Sequence, residues 1–88
     1  MKVKKGFVVR EVGGKKYAVA TGEVARSFKG MLGLNDMGAI IFELLQTDTT
    51  KEEVVNAILK EYAVDRQTVE TDVEKFISTL KSIEVIED

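Results

Sequence analysis

The sequence predicts an α+β fold in which a three-stranded antiparallel sheet is followed by three helices (β-β-β-α-α-α). Residues 7–12 and 17–20 are rich in β-branched and aromatic side chains and flank a Gly13-Gly14 pair, which is typical of a tight β-hairpin. Residues 31–34 form a further short apolar segment that Gly33 weakens as a strand. Beyond residue 35, apolar side chains recur at helical spacing. The chain therefore divides into a β half and an α half.

The hairpin is expected to turn through two residues with positive φ at both glycines. That turn would place Arg10 opposite Tyr17 and Glu11 opposite Lys16. Both faces of the hairpin are apolar, with Phe7, Val9, Ala18 and Ala20 on one and Val8, Val12, Tyr17 and Val19 on the other. The alternation leaves open which face meets the core.

Each of the three helices has a start signal. Asn35 is a favourable N-cap for a first helix from about residue 36 to residue 46. Thr50 and Glu53 form a capping box for the second, and Asp65 caps a longer third helix. Because each apolar stripe must be buried, we expect the helices to cover one face of the sheet. Residues 21–29 show no clean period and are expected to form an irregular connection.

Composition limits the class of protein. Eighty-eight residues make one domain, so we expect a single domain over residues 1–88. The formal net charge of −2 argues against general attraction to nucleic acid or to anionic membranes. No apolar run approaches the ~20 residues that span a bilayer. Arg10 and Glu11 interrupt the first apolar segment, so no signal peptide is expected. A cytoplasmic protein is predicted.

Catalytic chemistry finds little support in the sequence. The chain contains no histidine and no cysteine, and its carboxylates are scattered along predicted helix surfaces without a metal-binding pattern. Gly30 and Gly33 are not followed by the Gly-Lys-Ser/Thr ending of a phosphate loop. No serine lies at the start of the first helix, where a carrier protein would bear its arm. We therefore expect no catalytic residue, no cofactor and no metal.

Nucleic-acid binding is the main alternative, because three helices and a small sheet can form a winged helix. Its third helix would enter the major groove. Here that helix carries Glu70, Asp72 and Glu74 against Arg66 and Lys75, so phosphates would be repelled along much of its length. A winged-helix DNA-binding or general protein-interaction domain is kept as the alternative function.

Peptide binding fits the third strand better. A strand that ends a small sheet can leave one edge unpaired, and an unpaired edge accepts an extended peptide through main-chain hydrogen bonds. Gly33 would let a second backbone approach closely. The competing interpretation is that Met31, Leu32 and Leu34 are simply core and that Gly33 marks a bulge. The residues alone leave both interpretations open.

The order and spacing of five segments resemble the PqqD family, named for the D protein of pyrroloquinoline quinone biosynthesis. The segments are residues 30–35 (GMLGLN), 38–45 (GAIIFELL), 50–55 (TKEEVV), 61–65 (EYAVD) and 72–76 (DVEKF). The most distinctive motif is Leu-Asn-x-x-Gly-Ala within the first two. The likeness covers nearly the whole chain.

The resemblance implies a winged-helix-like peptide-recognition domain that binds the leader of a ribosomally made precursor peptide. The leader would add as a strand beside the third strand, in a cleft shared with the third helix. The domain would then present it to a separate modifying enzyme, such as a radical S-adenosylmethionine enzyme. Carried over by position, the implied peptide-binding residues are Met31, Leu32, Gly33, Leu34, Val69, Asp72, Val73 and Phe76. The helical stripe by itself would assign Val69, Val73 and Phe76 to the core.

Three departures from the family pattern have consequences. Many relatives carry tryptophan where this chain has Phe42. Relatives commonly have Gly-Leu-Leu or Gly-Leu-Ile where this chain has Glu84-Val85-Ile86. Without that glycine, the usual left-handed cap is not expected, and the last helix should end differently. The connection over residues 22–29 is also longer than in the namesake protein, which implies a peptide system other than pyrroloquinoline quinone. We expect a monomer, or a weak homodimer through the unpaired strand edge.

Overall fold

The structure of the chain is a computed structural model that describes residues 1–22, 24–27 and 31–87. Its elements follow one another as β1 (Lys2–Val3), β2 (Phe7–Val12), β3 (Lys15–Ala20), α1 (Val24–Ser27), β4 (Met31–Leu34), α2 (Asp36–Leu44), α3 (Lys51–Glu61), α4 (Arg66–Ser82) and β5 (Ile86–Glu87). The predicted α+β class is confirmed, with the predicted strands as β2, β3 and β4 and the predicted helices as α2, α3 and α4.

The main sheet is antiparallel, with strand order β2-β3-β4. Gly13 and Gly14 have φ of 59° and 80°, as a primed two-residue turn requires. The predicted hairpin register is confirmed, since Arg10 lies opposite Tyr17. On the other side of β3, Ala18 lies opposite Leu32.

The face of the sheet that carries Phe7 and Ala18 meets the core, where the two side chains are 4% and 1% exposed. Val9, Ala20, Leu32 and Leu34 share this face and pack partly buried against the core. The opposite surface, which we name the outer face, carries Val8, Arg10, Val12, Lys15, Tyr17, Val19, Met31 and Gly33. The structure thus decides which face of the hairpin is inside.

Helix starts follow the sequence signals closely. The side chain of Asn35 accepts a hydrogen bond from the Gly38 N–H at 2.6 Å. Thr50 accepts from the Glu53 N–H at 3.1 Å, which confirms the N-cap of the predicted capping box, and the Glu53 carboxylate accepts from the Thr50 hydroxyl. Asp65 accepts from the Thr68 N–H. Each cap satisfies a helix N–H that has no carbonyl partner within the helix.

The core lies between the sheet and α2, α3 and α4. Its largest fully buried side chains are Phe42, Ile41, Leu45, Ile58, Leu80, Val54, Val55, Val69, Val73 and Val85. α4 packs against both α2 and α3, and α2 also contacts β2, β3 and β4. α2 therefore links the sheet to α4.

A second, two-stranded sheet was not predicted. β1 pairs antiparallel with β5, so that Val3 lies opposite Ile86. The Val3 N–H also donates to the Leu45 carbonyl at 2.8 Å. The Met1 ammonium donates to the Asp48 carboxylate at 2.8 Å, and this hydrogen bond and charge lower the pKa of Asp48 below its usual value. The first residues thereby join the end of α2 to the end of the chain.

The connection predicted to be irregular contains one turn of helix, α1. Gly22 precedes it with a positive φ of 58°. Glu23, Phe28, Lys29 and Gly30 lie outside the described residues, so the prediction for those positions, including the first glycine of the 30–35 motif, is not addressed.

The expected loss of the left-handed cap on the last helix is wrong. Glu84 adopts the left-handed conformation itself, with φ of 60°. The Val85 N–H donates to the Leu80 carbonyl and the Glu84 N–H to the Lys81 carbonyl, which is the hydrogen-bond pattern of a Schellman motif. Val85 and Leu80 are both buried and supply its hydrophobic contact. This packing holds Glu84 in a conformation that glycine would adopt more readily.

We expect Glu84→Gly to stabilise the protein by about 0.5–1 kcal/mol. It relieves the ~1–2 kcal/mol cost of a left-handed L-residue, and the greater freedom of glycine in the unfolded chain offsets part of this gain. Chemical denaturation of the wild type and of the variant measures the difference. Glu84→Ala is the matched control, because it removes the carboxylate but keeps the strained conformation. Equal stabilisation by both substitutions would mean that charge, and not backbone strain, is responsible.

Candidate functional site

β4 presents one paired and one unpaired edge. Among the described residues its strand partner is β3 alone, and its other main neighbour is α2. We name the side of β4 that faces away from β3 the free edge. It is four residues long, from Met31 to Leu34.

The turn at Gly13 determines which main-chain groups point to the free edge. In a two-residue hairpin the closing pair, here Val12 and Lys15, exchanges hydrogen bonds, and hydrogen-bonded pairs then alternate along the strands. The Thr21 N–H donates to the Gly6 carbonyl at 2.7 Å, which agrees with this alternation.

The same alternation carries over to β4. Since Lys15, Tyr17 and Val19 of β3 bond to β2, it is Lys16 and Ala18 that bond to β4, at Leu34 and Leu32. The N–H and C=O groups of Met31 and Gly33 therefore point away from β3. The free edge offers two residues for main-chain hydrogen bonding.

A groove of about 270 Å³ lies between the start of α2 and the middle of α4. Asn35, Met37, Gly38 and Ile41 line it from the α2 side, and Asp72, Lys75, Phe76 and Thr79 line it from α4. Asn35 directly follows β4 in the chain, so the groove begins where the free edge ends.

The narrow point of the groove is between Gly38 and Phe76. A methyl group on Gly38 would lie 3.3 Å from Cε1 of Phe76 and 3.0 Å from Oδ1 of Asn35. The absence of a side chain at Gly38 therefore lets the Phe76 ring lie against α2. Phe76 is half-buried and packs against the core, so it forms an apolar wall. Asp72 and Lys75 add one charge of each sign to the rim.

The structure distributes the predicted site residues over three environments. Asp72 and Phe76 line the groove. Val69 and Val73 are 1% and 0% exposed, so they support α4 from below and offer no surface to a ligand, as the helical stripe alone implied.

The four residues of β4 divide by alternation. Leu32 and Leu34 are half-buried against the core. Met31, which is 60% exposed, and Gly33 lie on the outer face. None of the four lines the groove, although Gly33 and Leu34 border a second depression, beside Tyr17.

Six groove residues were missed by sequence reasoning: Asn35, Met37, Gly38, Ile41, Lys75 and Thr79. A signal existed for Gly38, since glycine is unfavourable inside a helix and stands three residues after the N-cap. The others required the packing of α2 on α4 to be known.

None of the described helices is both long and apolar enough to cross a membrane.

Comparison with known proteins agrees with the fold. Residues 15–86 match the family model of "Coenzyme PQQ synthesis protein D (PqqD)". The solved structure "TbiB1 in Complex with the TbiA(beta) Leader Peptide" is 31% identical, with a TM-score of 0.73, over 99% of this chain and 95% of that chain. A search among curated proteins found no match.

A further solved structure, "Lasso peptide synthetase B1 complexed with the leader peptide", is 22% identical, with a TM-score of 0.68, over 92% of this chain and 89% of that chain. At this identity the likeness concerns the fold alone. The family match covers most of the chain, as the resemblance of residues 30–76 predicted, and the chain belongs to the PqqD family.

Proposed function

We propose that this protein binds the leader of a ribosomally made precursor peptide as an added strand on the free edge of β4. The observation that carries the proposal is the combination of this unpaired edge with the adjoining groove, in a chain 31% identical to a protein solved with a leader peptide. Main-chain hydrogen bonds to Met31 and Gly33 would provide affinity, and the groove would provide selectivity.

The strand register supports this division of roles. In an added strand, residues opposite Leu32 and Leu34 project to the same side of the sheet as those two side chains, toward the helices. The groove with Phe76 lies on that side and adjoins the end of β4. Alternate peptide side chains would therefore enter the groove, against Phe76 and beside Asp72. The proposed site comprises the backbone of β4 and the groove face of α4.

The protein would act as an adaptor without catalytic residues of its own and would present the bound peptide to a separate modifying enzyme. A radical S-adenosylmethionine enzyme is one candidate. We place this activity in the cytoplasm, in a peptide system other than pyrroloquinoline quinone. The free edge would also permit weak self-pairing, so the protein would be a monomer or a weak homodimer until peptide occupies the edge.

An NMR amide titration with the precursor peptide encoded beside the gene tests the function. We expect shifts concentrated on residues 31–34 and along the groove face of α4, with an affinity that changes little with salt. Duplex DNA serves as the comparison, because phosphate binding weakens steeply with salt. Salt-sensitive binding of DNA through α4, with no response to the peptide, would replace the proposal with the winged-helix alternative.

Gly33→Pro should weaken peptide binding about tenfold or more. Proline removes an N–H that points to the free edge and places its ring where the peptide backbone would lie, and a net main-chain hydrogen bond contributes about 0.5–1.5 kcal/mol. The pairing of β4 with β3 uses Leu32 and Leu34 and should survive. Isothermal titration calorimetry measures the affinity.

Gly33→Ala is the matched control, because it keeps the N–H and an added methyl group there meets no atom within 4 Å. Its affinity should fall much less than that of Gly33→Pro, because strand addition needs the N–H. Circular dichroism and thermal melting check that both variants fold. Unchanged binding by a folded Gly33→Pro protein would exclude strand addition on β4.

Gly38→Ala should separate stability from binding. Alanine is the better helix former by about 1 kcal/mol, but its methyl group would lie 3.0 Å from Oδ1 of Asn35 and 3.3 Å from Cε1 of Phe76, so the N-cap and the Phe76 ring must both shift slightly and offset the gain. We expect thermal stability to be kept and peptide affinity to fall about threefold to tenfold, as measured by thermal melting and calorimetry. Ser78→Ala, on an exposed face of α4 away from Gly38, is the control. Loss of affinity with an equal loss of stability would show that the change acts through the fold and not through the groove.

A further inference from the structure

A second depression, of about 520 Å³, lies at the turn end of the sheet and shares Asn35 with the groove. It is lined by Gly14, Lys15, Lys16, Tyr17, Gly33, Leu34, Asn35 and Asp36. Tyr17 and Gly33 face each other across β3 and β4, and both lie on the outer face. Lys16 and Leu34 lie on the inner face and Asp36 begins α2, so the depression wraps around the turn end of β4, and its Tyr17–Gly33 part adjoins the free edge from the outer face.

The depression is open above Gly33. An added methyl group at Gly33 would meet nothing within 4 Å, so the half-buried Tyr17 ring does not fill the space over this residue. Tyr17 and Gly33 also form a non-hydrogen-bonded pair, in which facing side chains come closest together. A side chain that lay across Gly33 from the free edge would therefore reach Tyr17.

A strand added to the free edge brings such a side chain. Its residue opposite Gly33 would exchange main-chain hydrogen bonds with Gly33 and project onto the outer face, because directly opposite residues share a face. Two residues along, the peptide residue opposite Met31 would extend the apolar row Val8-Val19-Met31 that crosses the sheet. The outer face therefore meets every second residue of an added strand.

We infer that the depression beside Tyr17 and Gly33 is a second subsite for the same peptide and that it takes a large apolar or aromatic side chain. The inference rests on the proposed function. An aromatic side chain laid across a strand glycine covers exposed backbone and gains a cross-strand contact with a neighbouring ring. At the border, Lys15 and Lys16 are positive and Asp36 is negative, a net charge of +1, whereas Tyr17 and Gly33 present uncharged surface to the occupant. Selectivity then comes from both sides of the bound strand.

The test uses a displayed library of random ten-residue peptides, selected in parallel against the wild type, Tyr17→Thr and Gly33→Pro. Threonine keeps a β-forming residue in β3 but removes the ring. The matched control is Val12→Thr, which alters the same face at an exposed position on β2, the strand farthest from the free edge. Each position of a selected peptide is then replaced by alanine, and Kd is measured against each folded variant.

The wild type should prefer a large apolar or aromatic residue at one peptide position, with a loss of about threefold to tenfold on replacement by alanine. That loss should disappear in Tyr17→Thr and persist in Val12→Thr. Selected peptides that fail on Gly33→Pro but show no position coupled to Tyr17 would overturn the second subsite alone. Peptides that bind Gly33→Pro as well as they bind the wild type would overturn the proposed function, and the second subsite with it.

Discussion

The arrangement of the site depends on a single residue, Asn35, which is all that separates β4 from α2. Its extended backbone ends the strand, and its side chain accepts the Gly38 N–H at 2.6 Å to begin the helix. A junction of one residue restricts the angle between the strand and the helix. Because α2 packs against both the sheet and α4, the direction of the free edge is fixed relative to the wall of the groove.

α4 serves the core and the groove at once because helical periodicity gives it two faces. Val69, Val73, Ile77 and Leu80 are buried, while Asp72 and Phe76 reach the groove on the adjacent side. A substitution on the first face acts on folding, and one on the second acts on the surface offered to a ligand. Phe76 belongs partly to both, since it packs against the core and also lines the groove.

Sequence reasoning recovered the elements whose signals are local. The Gly13-Gly14 turn, the caps at Asn35, Thr50 and Asp65, and the helical stripes each depend on a few neighbouring residues. Which face of the hairpin is buried could not be predicted, because both faces are apolar and the packing of the helices determines which one they cover.

Features that depend on distant parts of the chain could not be predicted in the same way. The β1–β5 pair is two residues long on each side and joins Val3 to Ile86, so neither strand shows a period of its own. The left-handed conformation of Glu84 follows from the burial of Val85 against the core, which no local preference of glutamate suggests. The family resemblance predicted two groove residues of α4, Asp72 and Phe76. The α2 side of the groove depends on how α2 packs against α4, which the sequence does not show.

The free edge is too short for its main-chain hydrogen bonds alone to fix which peptide residues lie opposite it. Hydrogen bonds to the main chain of Met31 and Gly33 are the same for any extended sequence, so a slip of two residues preserves all of them and moves the peptide by about 7 Å. Only side-chain contacts can select one alignment. The groove and the outer face would thus fix the alignment of the peptide, and with it the number of residues between the bound segment and the residue that an enzyme modifies.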